Sequence, residues 1–245
     1  MGRRTYVYNH MLFCRYPSDM TKADLKTFEV SRHYTMTEPK RIFALIRAVK
    51  YLICNKIAGA IVECGVGAGG SIVAIARTLR TLGDTERDIY LYDTYAGMPK
   101  PGPEDVRCDG IPAMKQFKRA KLSDTASRWC RSPRTKVKSI VKRKSGRYPS
   151  SRFKFIKGMI EDTIPEEAPD NIALLLLDTD FYRSTLHGLN HLYPRLQGGG
   201  VLMVDDYGYW KGARQAVDEY FTEHGNWPLL NATDYSGRIG VKPWQ

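Results

Sequence analysis

The chain has 245 residues, 42% of them hydrophobic and 26% charged, which is enough for one α/β domain with a sizeable core but cramped for two. No apolar run approaches the roughly 20 residues that span a bilayer, and the N-terminus lacks the apolar segment of a secretory signal, so we expect a soluble, cytoplasmic protein. The formal charge of +12 raises nucleic acid or an anionic surface as a partner, but much of the excess lies locally, between Lys115 and Lys157, which weakens that idea.

The cysteines also exclude two classes of protein. There are five, an odd number, and their spacing contains no CxxC pair and no Cys/His cluster. This argues against a disulfide framework and against a structural zinc site. We therefore expect reduced thiols at all five positions, Cys14, Cys54, Cys64, Cys108 and Cys130.

Residues 1–58 are predicted to form an N-terminal arm followed by a helix that caps the domain. Residues 1–33 carry aromatic and charged side chains without clear periodicity, which predicts an irregular arm packed on the domain or on a second subunit and favours a homodimer or higher homo-oligomer. In 35–56 apolar residues recur at helical spacing, with Thr37 as a candidate N-cap and Pro39 in the first turn. This helix should bring residues 34–37 near the glycine turn that follows.

The stretch 61–71, Ile-Val-Glu-Cys-Gly-Val-Gly-Ala-Gly-Gly-Ser, predicts a buried strand, a glycine turn and the start of a helix. Its glycines allow the backbone to turn tightly and approach a ligand, and we assign Gly65, Gly69 and Ser71 to ligand binding. Such a turn is typical of proteins that bind NAD, FAD or S-adenosylmethionine (SAM), and a plain tight turn is the alternative.

A second strand, 88–93, is predicted to end in Asp93. In a doubly wound sheet, an acid at this position, some 20 to 30 residues past the glycines, is placed to accept hydrogen bonds from ribose hydroxyls. The alternative is an acid that caps the next turn.

Residues 107–151 depart from the alternation of strands and helices and are rich in lysine and arginine. We interpret them as an insertion that forms helices and a mobile flap over the active site. A solvated basic face is an equally good interpretation.

The alternation resumes after residue 151, and a glycine stop at 198–200 separates a helix from the next strand. We predict an α/β fold with about seven mostly parallel strands and helices on both faces, and the ligand beyond the carboxyl ends of the strands. The predicted strands are 152–156, 171–178, 201–204 and an antiparallel pair, 228–231 and 237–243; the predicted helices are 182–196 and 211–224; and 158–165 is predicted to be a loop.

Acidic residues end four of the predicted strands: Glu63, Asp93, Asp178 and the pair Asp205 and Asp206. Because parallel strands present their carboxyl ends at one edge, these side chains should converge there. Crowded carboxylates repel unless a cation lies among them, and hard oxygen ligands suit Mg²⁺. We assign the last three to a metal site and the first two to the cofactor, with acids that merely cap helices as the alternative.

Seven separated motifs between about residues 34 and 225 resemble the macrocin O-methyltransferase family, whose members are SAM- and Mg²⁺-dependent enzymes that methylate sugar hydroxyls of natural products. The resemblance implies a Rossmann-like, class I methyltransferase fold. The motifs are Tyr-Thr-Met-Thr-Glu-Pro-Lys-Arg (34–41), Val-Glu-Cys-Gly-Val (62–66) with Gly-Gly-Ser (69–71), Tyr-Asp-Thr-Tyr-Ala-Gly-Met-Pro (92–99), Glu-Asp-Thr-Ile-Pro (161–165), Leu-Asp-Thr-Asp-Phe-Tyr-Arg-Ser-Thr (177–185), Leu-Tyr-Pro-Arg-Leu (192–196) and Gly-Gly-Val-Leu-Met-Val-Asp-Asp-Tyr-Gly (199–208).

The resemblance also implies roles for single residues in binding SAM. Glu63 and Gly65 would flank its methionine part, Asp93 would hold the ribose, and Asp162 would lie near the adenine. A further group would close over the methionine part, namely Tyr34, Met36 and Thr37. The chain departs from the family's usual pattern at Gly67 and Ala68, and its basic segment 107–151 matches the family's variable region poorly, which places substrate choice there.

For the chemistry, the resemblance assigns Asp178, Asp205 and Asp206 to the metal and makes Asp178 the base. We predict that a substrate with adjacent hydroxyls chelates Mg²⁺, that Asp178 removes a proton from one of them, and that the resulting alkoxide attacks the SAM methyl group in line. A catechol or other phenolic diol is a second possible acceptor. A nucleic-acid-binding methyltransferase is a weaker alternative, because the basic residues are not interleaved with stacking aromatics.

Overall fold

The computed structural model describes residues 16–244, which are organised around one seven-stranded sheet. Its strand order is β3-β2-β1-β4-β5-β7-β6; β1 to β5 run parallel, β7 is antiparallel to β5 and β6 is antiparallel to β7. The predicted seven-stranded, mostly parallel sheet is therefore confirmed. The strands are β1 Ala60–Cys64, β2 Ile89–Asp93, β3 Phe153–Lys157, β4 Ile172–Leu177, β5 Leu196–Val204, β6 Asn231–Ala232 and β7 Arg238–Val241.

Helices cover both faces of the sheet, as predicted. Alternate strand residues supply the two cores: Ile61 packs with α2, α3 and α5, and its neighbour Val62 packs with α6, α7 and α8. All six residues of β4 are buried, as expected for a central parallel strand covered on both faces. The helices are α1 Lys22–Ser31, α2 Pro39–Cys54, α3 Gly70–Thr81, α4 Ala113–Arg119, α5 Arg134–Lys144, α6 Ile160–Thr163, α7 Tyr182–Leu192 and α8 Lys211–His224, with 3₁₀ turns at Arg32–Tyr34 and Ser150–Arg152.

The predicted irregular arm is wrong for its described part, because residues 22–31 form α1. Thr21 and Asp24 satisfy each other's backbone N–H groups in a capping box, and Phe28 packs this helix against Ile42 of α2 and Ala74 of α3. The remainder of the arm, residues 1–15, lies outside the described residues. Part of the N-terminal region is therefore a regular element of the core.

Thr37 is not the N-cap of α2. Its backbone N–H is 3.0 Å from Thr35 Oγ1 and its hydroxyl is 2.6 Å from the same atom, so Thr37 bonds backward along the chain. The cap is the extended residue Glu38, which makes no side-chain capping bond, and Pro39 begins the helix. Proline suits this position because the N–H that it lacks would have no partner in the helix.

The glycines at 198–200 do not stop a helix, because α7 ends at Leu192 and these residues already belong to β5. A Cβ at Gly199 would lie 2.3 Å from Trp244 Cζ2, and one at Gly198 would lie 3.0 Å from Trp244 Cε3. The glycines therefore make room for the Trp244 ring at the start of β5. Two smaller boundaries also differ, since 160–163 is a short helix and β6 is limited to two residues.

The basic segment is anchored to the core. It forms α4 and α5, and Val137 and Val141 of α5 are fully buried beside the glycine turn, within 3.3 Å of a Cβ placed on Gly69. The basic side chains of α5, such as Lys136 and Lys142, remain exposed. The segment therefore forms helices, lies beside the glycine turn and presents a basic face to solvent, and a mobile flap stays a prediction. Between residues 16 and 244 no helix is long and apolar enough to cross a bilayer.

Candidate active site

The glycine turn after β1 is shaped by close contacts that only glycine permits. Gly65 has φ +89°, and a Cβ there would lie 1.8 Å from the carbonyl oxygen of Asp178. Gly69, at φ +90°, is the N-cap of α3, and a Cβ on Gly70 would lie 2.7 Å from the carbonyl oxygen of Tyr34. The turn therefore packs directly on the end of β4 and on the 34–37 segment, which lies beside it.

Asp93 at the end of β2 holds this turn. Its Oδ2 accepts hydrogen bonds from the N–H groups of Val66 (2.9 Å) and Gly67 (3.0 Å), and its Oδ1 accepts one from Tyr95 (2.6 Å). Burial raises the pKa of Asp93, and these backbone donors partly offset the rise. Asp93 thus caps the turn that follows β2, as the alternative predicts, and it also lines the cavity described next; its contact with a ribose stays a prediction.

A cavity of about 700 Å³, its open mouth included, opens between the ends of β1, β2 and β4. Glu161 of α6 lines it, whereas the side chain of Asp162 is exposed and does not. Glu161 Oε2 is buried and has no hydrogen-bond partner among residues 16–244. The predicted Asp162 position is therefore displaced by one residue, because the helical turn at 160–163 points Glu161, and not its neighbour, inward.

Glu63 is 1% exposed and is not among the residues that line this cavity. Burial raises its pKa well above the usual value, a hydrogen bond with Ser71 opposes this, and the charges of Asp205 and Asp93 add to it. Its Oε2 has no partner within the described part of the chain. A buried carboxylate oxygen without a donor suits a cationic group such as an amine.

Three carboxylates meet at the ends of β4 and β5. Oxygen atoms of Asp178, Asp205 and Asp206 lie within 4.8 Å of one another, and Asp206 Oδ2 is buried without a hydrogen-bond donor from residues 16–244. Burial and the repulsion between these groups raise the pKa of Asp178 and of Asp206. The arrangement fits a divalent cation, because oxygen ligands and uncompensated negative charge are what Mg²⁺ requires.

A larger cavity, about 1940 Å³ with its open mouth, adjoins the first. Asp178, Asp180, Gly67, Met36 and Cys130 line both, so the acid cluster lies where the two cavities join. Tyr34 and Thr37 line only the larger one, and Met36 is 89% exposed at the rim. Two ligands bound side by side would therefore meet at Asp178.

The wall of the larger cavity is aromatic, and no sequence motif predicted this lining. Trp210 donates a hydrogen bond from Nε1 to Asp180 Oδ1 (2.7 Å), and its ring contacts Trp129, Phe181 and Tyr209 at centroid distances of 5.1–5.8 Å. Burial is the largest of the causes that raise the pKa of Asp180 to about 7. Asp180 lies within the motif at 177–185, but no motif contains Trp129 or Trp210.

This sheet order, with a glycine turn after β1 and an acid at the end of β2, defines the fold of the class I SAM-dependent methyltransferases. The methyltransferase NovP superposes with a TM-score of 0.75 at 26% identity, covering 86% of this chain and 82% of NovP. The SAH-bound Podospora anserina methyltransferase PaMTH1, at 16% identity and a TM-score of 0.55, shares the fold.

Residues 19–239 match the family described as Macrocin-O-methyltransferase (TylF), and the chain belongs to that family. It is a SAM-dependent O-methyltransferase. One relative, 8-demethyl-8-(2,3-dimethoxy-alpha-L-rhamnosyl)-tetracenomycin-C 4'-O-methyltransferase of Streptomyces olivaceus, is 28% identical over 204 residues, 83% of this chain and 74% of the relative. Mycinamicin III 3''-O-methyltransferase of Micromonospora griseorubida is 29% identical over 194 residues, 78% of this chain and 72% of the relative.

Proposed function

We propose that this enzyme methylates a sugar hydroxyl of a glycosylated natural product and that Asp178, Asp205 and Asp206 hold a Mg²⁺ ion at the reaction site. The observation that carries the proposal is the position of the three carboxylates, since Asp178 faces both the cavity beside the glycine turn and the aromatic cavity. The names of the relatives support the sugar, because one contains a rhamnosyl group and another specifies a hydroxyl of mycinamicin III.

The methyl donor would lie across the glycine turn. We assign its methionine part to Gly65, Gly69, Glu63 and Ser71, with the free oxygen of Glu63 taking the ammonium group. The 34–37 segment, which packs against Gly70, would cover this end of the donor. Asp93 would hold the ribose, and Glu161, which lines the cavity, would lie near the adenine in place of Asp162.

Asp178 is assigned as the proton acceptor. The acceptor O–H bond breaks and its proton passes to the Asp178 carboxylate, while the oxygen bonds to the donor methyl carbon and the carbon–sulfur bond breaks, releasing S-adenosylhomocysteine (SAH). The divalent cation, when bound, supplies Lewis acidity that lowers the pKa of a hydroxyl. The protein orients the two reactants, which is the main requirement because the sulfonium is already reactive.

A phenolic diol remains a second candidate acceptor because Trp129, Tyr209 and Trp210 line the larger cavity. Aromatic side chains suit both a phenol ring and the apolar face of a deoxysugar. Turnover assays with methyl α-L-rhamnoside and with catechol distinguish the two acceptors. We also expect a homodimer or higher homo-oligomer, which light scattering on the purified protein tests.

The experiment that tests the proposed function is calorimetric titration of SAH, with and without Mg²⁺, on the wild type and on Asp205→Asn. We expect SAH to bind both proteins and Mg²⁺ to bind only the wild type. Asp109→Asn, a substitution of an exposed aspartate in the basic segment, is the control. Near-normal turnover by a folded Asp178→Asn variant would contradict the assigned base, and failure of the wild type to bind SAH would contradict the donor site.

A further inference from the structure

Arg41 brings a permanent positive charge into the acid cluster. It lies in the first turn of α2, directly after the segment that borders the glycine turn, and its side chain is 8% exposed. Its Nη1 donates to Asp205 Oδ2 in a short contact, and its Nε donates to Asp234 Oδ2 at 2.9 Å. One guanidinium thus joins a carboxylate of the proposed metal site to a carboxylate from the loop between β6 and β7.

Asp234 is itself fixed. Its Oδ1 accepts hydrogen bonds from the N–H groups of Ser236 (2.9 Å) and Gly237 (2.7 Å), and its side chain is 3% exposed. Ser236 in turn donates from its hydroxyl to the carbonyl oxygen of Asp205 (2.7 Å) and accepts from the N–H of Gly208 (2.8 Å). Arg41 is therefore anchored through Nε to a turn, and this turn is hydrogen-bonded to Asp205, the residue that follows β5.

We propose that Arg41 is a positioning residue for the metal site: by bridging Asp205 and Asp234 it holds Asp205 in the orientation in which it ligates the cation. This inference rests on the proposed function, because it concerns the ion assigned to the three carboxylates. In metal sites generally, residues that hydrogen-bond to the ligands fix the orientation of those ligands. The bridge also lowers the net negative charge of the cluster, since the guanidinium offsets one of the three carboxylate charges and the remaining two match the charge of a divalent ion.

The bridge requires arginine. Nε and Nη1 belong to one rigid planar group and donate in different directions to two different carboxylates, whereas the ammonium of lysine is a single point at the end of a flexible chain. A Cβ on Gly237 would lie 3.0 Å from Arg41 Nε, so the turn fits closely around the guanidinium. Arg41→Lys therefore keeps the charge but cannot keep both contacts.

The test is the affinity of Mg²⁺, measured by calorimetry in the presence of saturating SAH, for the wild type, Arg41→Lys and Asp234→Asn. We expect the Mg²⁺ affinity of Arg41→Lys to be about 10- to 100-fold lower, which is the range typical of substitutions of residues that hydrogen-bond to metal ligands. Asp234→Asn keeps the guanidinium and removes only its anchor, so it should reduce the affinity in the same direction. The affinity for SAH without Mg²⁺ should not change in either variant, because Arg41 makes no proposed contact with the donor.

Arg47→Lys is the matched control, because Arg47 lies on the same helix with 62% of its side chain exposed and only a 3.8 Å pairing with Asp19. Wild-type Mg²⁺ affinity in Arg41→Lys would overturn the inference. Tighter Mg²⁺ binding in Arg41→Met would also overturn it, because Arg41 would then act only by repelling the cation. A loss of SAH affinity and of melting temperature in Arg41→Lys, in parallel with the loss of Mg²⁺ affinity, would overturn it as well, because Arg41 would then be a general structural residue. If the wild type binds SAH but not Mg²⁺, the metal assignment itself fails, which is a separate and recognisable result.

Discussion

Glu63→Gln should make the free protein more stable and the enzyme worse at binding its cofactor. Glu63 is 1% exposed, and its Oε2 lacks a hydrogen-bond partner in the described residues 16–244. Such an atom destabilises the protein when no ligand is bound. It favours binding only when the ligand supplies a hydrogen-bond donor to it. A buried polar atom without a partner costs about 1–3 kcal/mol and a charged one costs more, so replacing the carboxylate by the neutral amide should recover the part of that cost that is due to the charge.

The gain should depend on pH. Burial raises the pKa of Glu63 above its usual 4.5, so above pH 4.5 the unfolded chain releases a proton that the folded chain retains. Wild-type stability therefore falls as the pH rises from 4.5 toward the folded-state pKa, and a glutamine has no such dependence. The advantage of Glu63→Gln should be largest at neutral and higher pH and should shrink as the pH approaches 4.5.

The assay is thermal unfolding of both proteins across this pH range, with and without SAH. For a chain of this size, each kcal/mol corresponds to about 2–4 °C in the melting temperature. Loss of a charge-assisted hydrogen bond should weaken SAH binding about 10- to 100-fold. Glu86→Gln, at an exposed carboxylate that pairs with Arg152, controls for the substitution itself. A variant that is less stable than the wild type, or that binds SAH equally well, would refute this reasoning.

Two matched pairs of substitutions test other parts of the structure. Gly65→Ala should abolish SAH binding or the native fold, because its Cβ would meet the carbonyl oxygen of Asp178 at 1.8 Å. Gly67→Ala should lower the free energy of unfolding by only about 1–2 kcal/mol, because its Cβ has open space and only the positive φ is unfavourable. Calorimetry and urea unfolding compare the two, and equal tolerance would contradict the packing of the turn. Val141→Ala should lower the free energy of unfolding by about 2 kcal/mol because it removes two buried methyl groups, while the exposed Lys142→Ala should change it by less than about 0.5 kcal/mol. Equal effects in urea unfolding would mean that α5 is detached from the core.

Patterns that are local in the chain predicted most of the fold. The run of apolar residues in β4, the glycines after β1 and the helical spacing in α2 and α8 each specify an element within a few residues, because hydrophobic periodicity and glycine turns act over short distances. Helix α8 was predicted with its observed bounds, Lys211–His224. Two of the errors, at α1 and at the glycines of β5, arose where a capping pair or the distant Trp244 decided the local structure.

The sequence by itself determined which acids meet at one edge of the sheet. Asp178, Asp205 and Asp206 follow two strands of the parallel part of the sheet, and the carboxyl ends of parallel strands lie at one edge. Only the tertiary structure decided what surrounds them. Arg41 lies 164 residues from Asp205, and the tryptophans of the cavity wall come from separate segments, so no local pattern links them. Side chains that are distant in sequence are brought together by packing of whole elements, and it is this packing that decides how each carboxylate is held.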